Sequence, residues 1–180
     1  SLEPIYFGGC CNNPDICFVF MNPTGKNIAA DKSWQGPRSP WIGIKNIWDL
    51  FMAIKIIDED LYQEIKSKKG REWTPDFAKK VYKKVENNKI FITNLGKCTQ
   101  IDARPLPDKV FKEYLTLIEK EIELVNPKVI ILDEPTAVLT PQEIHELMKI
   151  MKNLAKEGKS ILFISHKLQE IMEVSDRCTV

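Results

Sequence analysis

The sequence predicts an α/β protein: a three-layer α/β/α arrangement around a four-stranded parallel sheet. Three observations carry this. Short apolar runs rich in β-branched and aromatic residues alternate with longer stretches whose apolar residues recur at helical spacing. The apolar runs end in polar or turn residues, as at Asn22-Pro23 and Asp133-Glu134. The intervening stretches are long enough to cross over a sheet and return, which favours parallel strands covered on both faces.

The elements follow in order. ICFVFM (Ile16–Met21) is the first strand and stops at Asn22-Pro23. KNIWDLFMAIKII (Lys45–Ile57) carries apolar residues at helical spacing. Thr74 and Pro75 are the cap and first-turn proline of a helix through Asp76–Val85. IFITNL (Ile90–Leu95) is the second strand, and Asp108–Val125 is a long amphipathic helix. KVIILD (Lys128–Asp133) is the third strand. Thr140, Pro141 and Glu143 then supply N-cap, first turn and capping box of a helix that ends at Gly158. SILFIS (Ser160–Ser165) is the fourth strand, and a last helix follows His166 to about Val174. Functional groups in such a sheet gather at the carboxyl ends of the strands, near the switch in strand order. That rule selects Asn22, Asn94, Asp133, Glu134 and His166.

With 180 residues, the chain fits one domain, or one with an appendage, and its 43% hydrophobic content supports a sizeable core. A net charge of +1 excludes a strongly basic nucleic-acid binder as the default. It leaves local basic faces possible at Lys66–Arg71 and Lys79–Lys84, which read more readily as solvated helix ends and faces. Five scattered cysteines, with no leader-like segment, point to a reducing, cytoplasmic setting. No apolar run approaches the roughly 20 residues that span a bilayer, so a soluble chain without membrane partner is expected.

The stretch from Val129 to Val180 contains ILDEPTAVLTPQEI and then EGKSILFISHKLQEIMEVSDRCTV. It resembles the Walker B to switch-histidine part of ABC-transporter ATPases. The resemblance implies that Asp133 supports Mg²⁺, Glu134 polarises an attacking water and His166 senses the γ-phosphate. A phosphate loop needs glycines for close backbone approach and a lysine. Here the Gly-Lys pair lies in TGKN (Thr24–Asn27), with Phe20 at the first-glycine position and Asn27 where Ser or Thr belongs. No LSGGQ-like signature follows. ATP and Mg²⁺ are therefore not expected to bind, and Asp133 and Glu134 read as a vestigial, charged strand end.

Residues from about Ile16 to Lys128 resemble the uracil-DNA glycosylase superfamily. Three blocks carry this: FMNPTGKNIA (Phe20–Ala29), WQGPRSPWIGIKNIWDLF (Trp34–Phe51) and ITNLGKCTQIDARPLPDKVF (Ile92–Phe111). The resemblance implies a glycosylase-like fold and base-flipping hydrolysis of an N-glycosidic bond in DNA repair, acting on DNA that contains uracil or a related base. Asn22 would orient the water, Trp41 stack on the base, Asn94 read its edge and His166 stabilise the leaving group. Lys97 and Arg104 are weaker candidates for backbone phosphates. Each has a plainer alternative: Asn22 as a turn residue, Asn94 as a strand-end cap, Trp41 as core, Lys97 and Arg104 as surface charges. Cys98 matches one cluster cysteine of the iron–sulfur branch. Cys10 and Cys11 are adjacent, and no cysteine follows Cys98 before Cys178, so neither an iron–sulfur cluster nor another metal is expected.

The two resemblances meet near Asn126–Leu132, inside one apolar strand. Both families run strand, helix, strand, His, so a segment of one can replace the other in a parallel sheet. The chain reads as a chimera within a single α/β domain, its 1–128 part glycosylase-like and its 129–180 part ABC-ATPase-like. The stop at CTV, where the ABC pattern opens another strand, suggests a truncated or deliberately assembled chain. The leading expectation is a glycosylase-like hydrolase of weak or lost activity. The alternatives are a non-enzymatic, engineered chimera and, last, an ATP-binding module.

Overall fold

The computed structural model describes residues 2–44, 47–101, 108–136 and 139–178. Their order is β1 (Phe7–Gly9), β2 (Ile16–Phe20), α1 (Ile47–Ala53), α2 (Glu59–Ser67), α3 (Pro75–Asn87), β3 (Ile90–Asn94), α4 (Asp108–Val125), β4 (Val129–Asp133), α5 (Pro141–Lys156), β5 (Ser160–Ile164) and α6 (Leu168–Val174). The strands form one sheet in the order β1-β3-β2-β4-β5. β2 pairs in parallel with β3 and β4, β4 pairs in parallel with β5, and β1 runs antiparallel to β3. The sheet is thus five-stranded and mostly parallel, not the four-stranded parallel sheet expected. The glycosylase-like topology finds no support beyond this general α/β class.

The added edge strand is the tripeptide Phe7-Gly8-Gly9, which carries no period-2 pattern to announce it. Its glycines are required by contact. A Cβ on Gly8 would lie 2.3 Å from Ser39 Oγ and 2.7 Å from the Trp41 ring, and Gly9 has φ +93°. The predicted helix over Lys45–Ile57 is shorter in the structure, Ile47–Ala53, and its first two predicted positions lie outside the described residues. Lys55 adopts φ 60° just after it, so the chain has left the helix by then. A further helix, α2, follows, with the Asp58 side chain accepting from Leu61 N.

Side-chain alternation puts a core on each face. Phe18, Ile90 and Ile92 face α1, α2 and α3 through Trp48, Phe51, Leu61, Ile65, Val81 and Val85. Cys17, Val19, Phe91, Ile130 and Leu132 face α4 and α5 through Leu115, Ile118, Leu147, Met151 and Leu154. The first core stops short of β5. There Leu162 and Ile164 are exposed, while Ile161 and Phe163 pack on the second core. Covering on both faces therefore holds for β2 and β3 and fails at β5.

The caps are those the sequence predicts. Thr74 accepts from Phe77 N ahead of Pro75. Thr140 and Glu143 form the reciprocal box that opens α5.

One polar cluster is sealed between β3 and α4. Lys97 Nζ lies 2.6 Å from Glu121 Oε2 and 2.5 Å from Thr93 Oγ1. The Lys97 side chain is 4% exposed and that of Glu121 14%. Burial pulls the Lys97 ammonium below its ordinary value, and the Glu121 carboxylate opposes that pull. Truncating one partner strands a buried charge. Glu121→Ala should therefore lower stability by about 3–5 kcal/mol in urea unfolding, and Lys97→Met added to it should recover much of the loss. An unchanged unfolding midpoint for Glu121→Ala would show that the pair is solvated.

Candidate functional site

Strand order reverses between β2 and β4: the chain leaves β2 toward β3 on one side, and leaves β4 toward β5 on the other. Loops that leave the strands here diverge and open a crevice. A cavity of about 350 Å³ lies at this point, walled by Phe20, Pro40, Ile44, Ile47 and Leu50. Its polar groups come from three strand ends: Asn22 and Thr24 after β2, Asn94 closing β3, and Asp133 closing β4. Asn94 is 2% exposed, and its amide donates at 3.4 Å to Ile5 O. The Asn22 amide makes a long contact, 3.5 Å, with Pro23 O. Asn27 also borders the cavity, but its side chain is committed. Its amide donates to the Ser39 and Pro40 carbonyls, and its oxygen accepts from Ala29 N.

A second group sits one strand further on. His166 Nε2 lies 2.5 Å from Glu134 Oε1, with the imidazole 85% and the carboxylate 44% exposed. Glu134 has φ 45°, a left-handed conformation that costs a residue with a Cβ about 1–3 kcal/mol. Its N–H still donates to Ile164 O at 2.9 Å, so the ladder with β5 continues through it. The turn places two consecutive carboxylates differently: Asp133 borders the cavity and Glu134 reaches the histidine.

The loops that carry this pair share a buried acceptor. Glu170 Oε2 accepts from Thr136 Oγ1 at 2.6 Å and from Ser165 Oγ at 2.9 Å, and Lys167 Nζ lies 3.1 Å from Glu170 Oε1. Thr136 and Glu170 are 2% and 8% exposed. Burial works against ionisation of Glu170, but hydrogen bonds from Thr136, Lys167 and Ser165, with the lysine charge, hold its carboxyl below the ordinary value.

Several predicted site residues are placed elsewhere. Trp41 is fully buried, stacked on Tyr82 at 5.5 Å between ring centroids, and offers no face to a ligand. Lys97 is the buried partner of Glu121, not a surface cation for phosphates. Arg104 lies outside the described residues. Asn22, Asn94 and Asp133 come together at the cavity, whereas His166 does not border it. His166 follows β5, two strand spacings or roughly 10 Å from β2. The basic runs on α2 and α3 are laced with acids: Lys66 pairs with Asp49, Lys80 with Glu64 and Lys84 with Asp58. Sequence reasoning missed Thr24, Thr136 and Glu170. The signal for Glu170 was its position one helical turn beyond Lys167 in HKLQE.

No protein-family model matches the chain. It is 51% identical over 79 residues to the nucleoside import ATP-binding protein NupA of Lactococcus lactis subsp. cremoris, a match covering 41% of this chain and 16% of that protein. It is 35% identical over 108 residues to the ribose import ATP-binding protein RbsA of Caldanaerobacter subterraneus subsp. tengcongensis, covering 59% and 22%. To the galactose/methyl galactoside import ATP-binding protein MglA of Clostridium perfringens it is 51% identical over 55 residues, covering 31% and 11%. The chain thus spans about a fifth or less of these relatives' length.

These relatives overturn the glycosylase reading. They support the ABC-ATPase resemblance and give none to uracil-DNA glycosylase or to a DNA-repair hydrolase. A match over 108 residues is longer than the Val129–Val180 segment, so the similarity also reaches N-terminal to Val129. The expectation of a uracil-containing DNA partner, with no membrane connection, falls with it, since these relatives are import proteins. So does the expectation that ATP and Mg²⁺ play no part, since they are ATP-binding proteins. Among the described residues no helix is long and apolar enough to cross a membrane.

The Glu170 cluster yields a pH prediction. A carboxyl lowered in the folded state adds stability that is complete above its ordinary value of 4.5 and fades as pH falls below it. The stability gap between the wild type and Glu170→Gln should therefore shrink between about pH 5 and pH 3 in urea unfolding. A gap that stays constant over that range would show that Glu170 ionises alike in both states.

Proposed function

We propose that this protein binds nucleotide and Mg²⁺ at the carboxyl ends of β2, β3 and β4, and serves as the ATP-binding part of an ABC-type importer, or as a piece of that part. The observation that carries this is the pair at the end of β4 and β5. Asp133-Glu134 closes β4, and Glu134 meets His166 at 2.5 Å, within a sequence whose curated relatives are import ATP-binding proteins. The relatives are named for different cargo: nucleoside, ribose, and galactose or methyl galactoside.

The residues at the cavity suit the metal. Mg²⁺ takes oxygen ligands, keeps several waters and is held jointly by one or two carboxylates and the phosphates. Asp133 supplies a carboxylate and Thr24 a hydroxyl on the same cavity. Among the described residues no group of three or more His, Cys, Asp or Glu side chains is placed to hold a metal ion. When bound, Mg²⁺ would neutralise phosphate charge and polarise a phosphoryl oxygen.

The chain's own groups divide the remaining work. Thr24 can donate its hydroxyl to a phosphate oxygen at the strand termini, where Asp133 would act on the phosphate end through the metal. Glu134 Oε1 is occupied by His166, and its other oxygen is the acceptor for a proton from attacking water. His166 orients that carboxylate. The exposed Lys26 and the loop around Gly25 stand in for a phosphate loop. Asn27, at the Ser/Thr position of that loop, is 3% exposed and holds the loop together instead, both ends of its amide being bonded to backbone. Phosphate affinity therefore depends more on the metal than in a site with a full glycine-rich loop.

A fluorescent ATP analogue titrated with and without Mg²⁺ tests this. Mg²⁺-dependent saturation is expected, with Asp133→Asn removing the metal dependence. Glu134→Gln should keep binding and cut any hydrolysis by about 10²–10⁴-fold. Binding weaker than about 1 mM, roughly −4 kcal/mol, with Mg²⁺ present would overturn the proposal.

A further inference from the structure

We propose that Glu170 is a positioning residue that fixes the Glu134–His166 pair, an inference that rests on the nucleotide-binding reading for its functional meaning. Glu134 and His166 are exposed and stand on two different loops. Two exposed side chains have little reason to keep one geometry, because solvent competes and both lose rotamer freedom. Glu134 is also held in a left-handed backbone conformation, which persists only where the surroundings over-determine it.

The clasp beneath supplies that constraint. Thr136 lies two residues beyond Glu134, and Ser165 immediately precedes His166. Both hydroxyls donate to one buried oxygen, Glu170 Oε2, at 2.6 and 2.9 Å. Lys167 closes the ring, donating to Thr136 O at 3.1 Å while paired with Glu170. The loop after β4 and the loop after β5 are thus tied to one side chain on α6. Hydrogen bonds to a charged acceptor are worth more than neutral ones, and a buried carboxylate stripped of a donor is costly. The loops consequently move together or not at all. None of these groups borders the cavity, so the clasp acts through Glu134 and His166.

The test is a nuclear Overhauser contact between the His166 ring protons and the Glu134 side chain, measured without nucleotide, so that failure of ATP binding does not touch it. Glu170→Ala should abolish the contact while the resonances of β2 and β3 stay in place. Glu170→Gln, whose amide oxygen still accepts both hydroxyls, should restore it. Thr136→Val, which removes one donor at nearly constant shape, should weaken it, and it decides the matter if Glu170→Ala does not fold. A contact that survives Glu170→Ala, or Thr136→Val where that applies, overturns the positioning role. So does one lost equally in Glu170→Gln. Loss and rescue as stated, with no Mg²⁺-dependent nucleotide binding, would leave the clasp standing and remove the function it was argued to serve.

Discussion

Parallel pairing of β2 with β4 joins Ile16 to Val129, Cys17 to Ile130, Phe18 to Ile131 and Val19 to Leu132. Everything C-terminal to α4 is attached to the rest of the sheet through this ladder. β1 and β3 lie on one side of it and β5 on the other. Side chains alternate across the ladder, so its register decides which residues enter which core. Cys17, Val19, Ile130 and Leu132 meet α4 and α5, and Phe18 meets the aromatic cluster of the opposite face. A slip of one residue would exchange the two sets, putting Phe18 where Val19 packs. The same register brings the end of β2 beside the end of β4, and with it Thr24 and Asn22 to the cavity that Asp133 borders.

The two faces are not equal. Over β2 and β3 the sheet is sandwiched between α1–α3 and α4–α5, whereas at β5 only one face is covered. The loops that leave β4 and β5 are correspondingly less supported by apolar packing, and polar bonds take over. Thr136, Ser165 and Lys167 converge on Glu170 where a larger core would have used aliphatic side chains. A polar network is more demanding than an apolar one, because each member left unpaired costs desolvation. It also fixes geometry more sharply, which matters beside a carboxylate that must face a histidine.

Much of the fold was legible because its signals are local. Strands Ile16–Phe20, Ile90–Asn94, Val129–Asp133 and Ser160–Ile164 are runs of apolar and β-branched residues, and Thr74-Pro75 and Thr140-Pro141 announce helix starts by cap chemistry. β1 was hidden because a glycine pair has no side-chain pattern, and its glycines answer to residues far off in sequence, Gly8 to Ser39 and Trp41 and Gly9 to the Ile90 carbonyl. The candidate site was legible only at the strand ends, where topology itself does the selecting. Lys97 and Trp41 were left open between a site and a structural role for one shared reason. Motif position says which residue stands at a strand end or in a loop, but not whether α4 or Tyr82 will cover it. The glycosylase likeness rested on the same kind of motif position, short blocks in order, and the curated relatives do not support it.

The division of labour between Asp133 and Glu134 follows from a single backbone angle. In an extended strand consecutive side chains point to opposite faces, and at the end of β4 that alternation would turn Glu134 away from Asp133 along the sheet normal. A φ of 45° at Glu134 breaks the alternation while the N–H bond to Ile164 O keeps the residue on the sheet. The carboxylate thereby swings along the sheet toward β5 and reaches His166. Glycine would accept the angle at no cost but would bring no carboxylate. The site therefore keeps a strained glutamate and must hold it from outside. The fixed points that the two loops share are the Thr136 and Ser165 hydroxyls and the buried Glu170, so the strain at the strand end and the polar clasp under it are two halves of one arrangement.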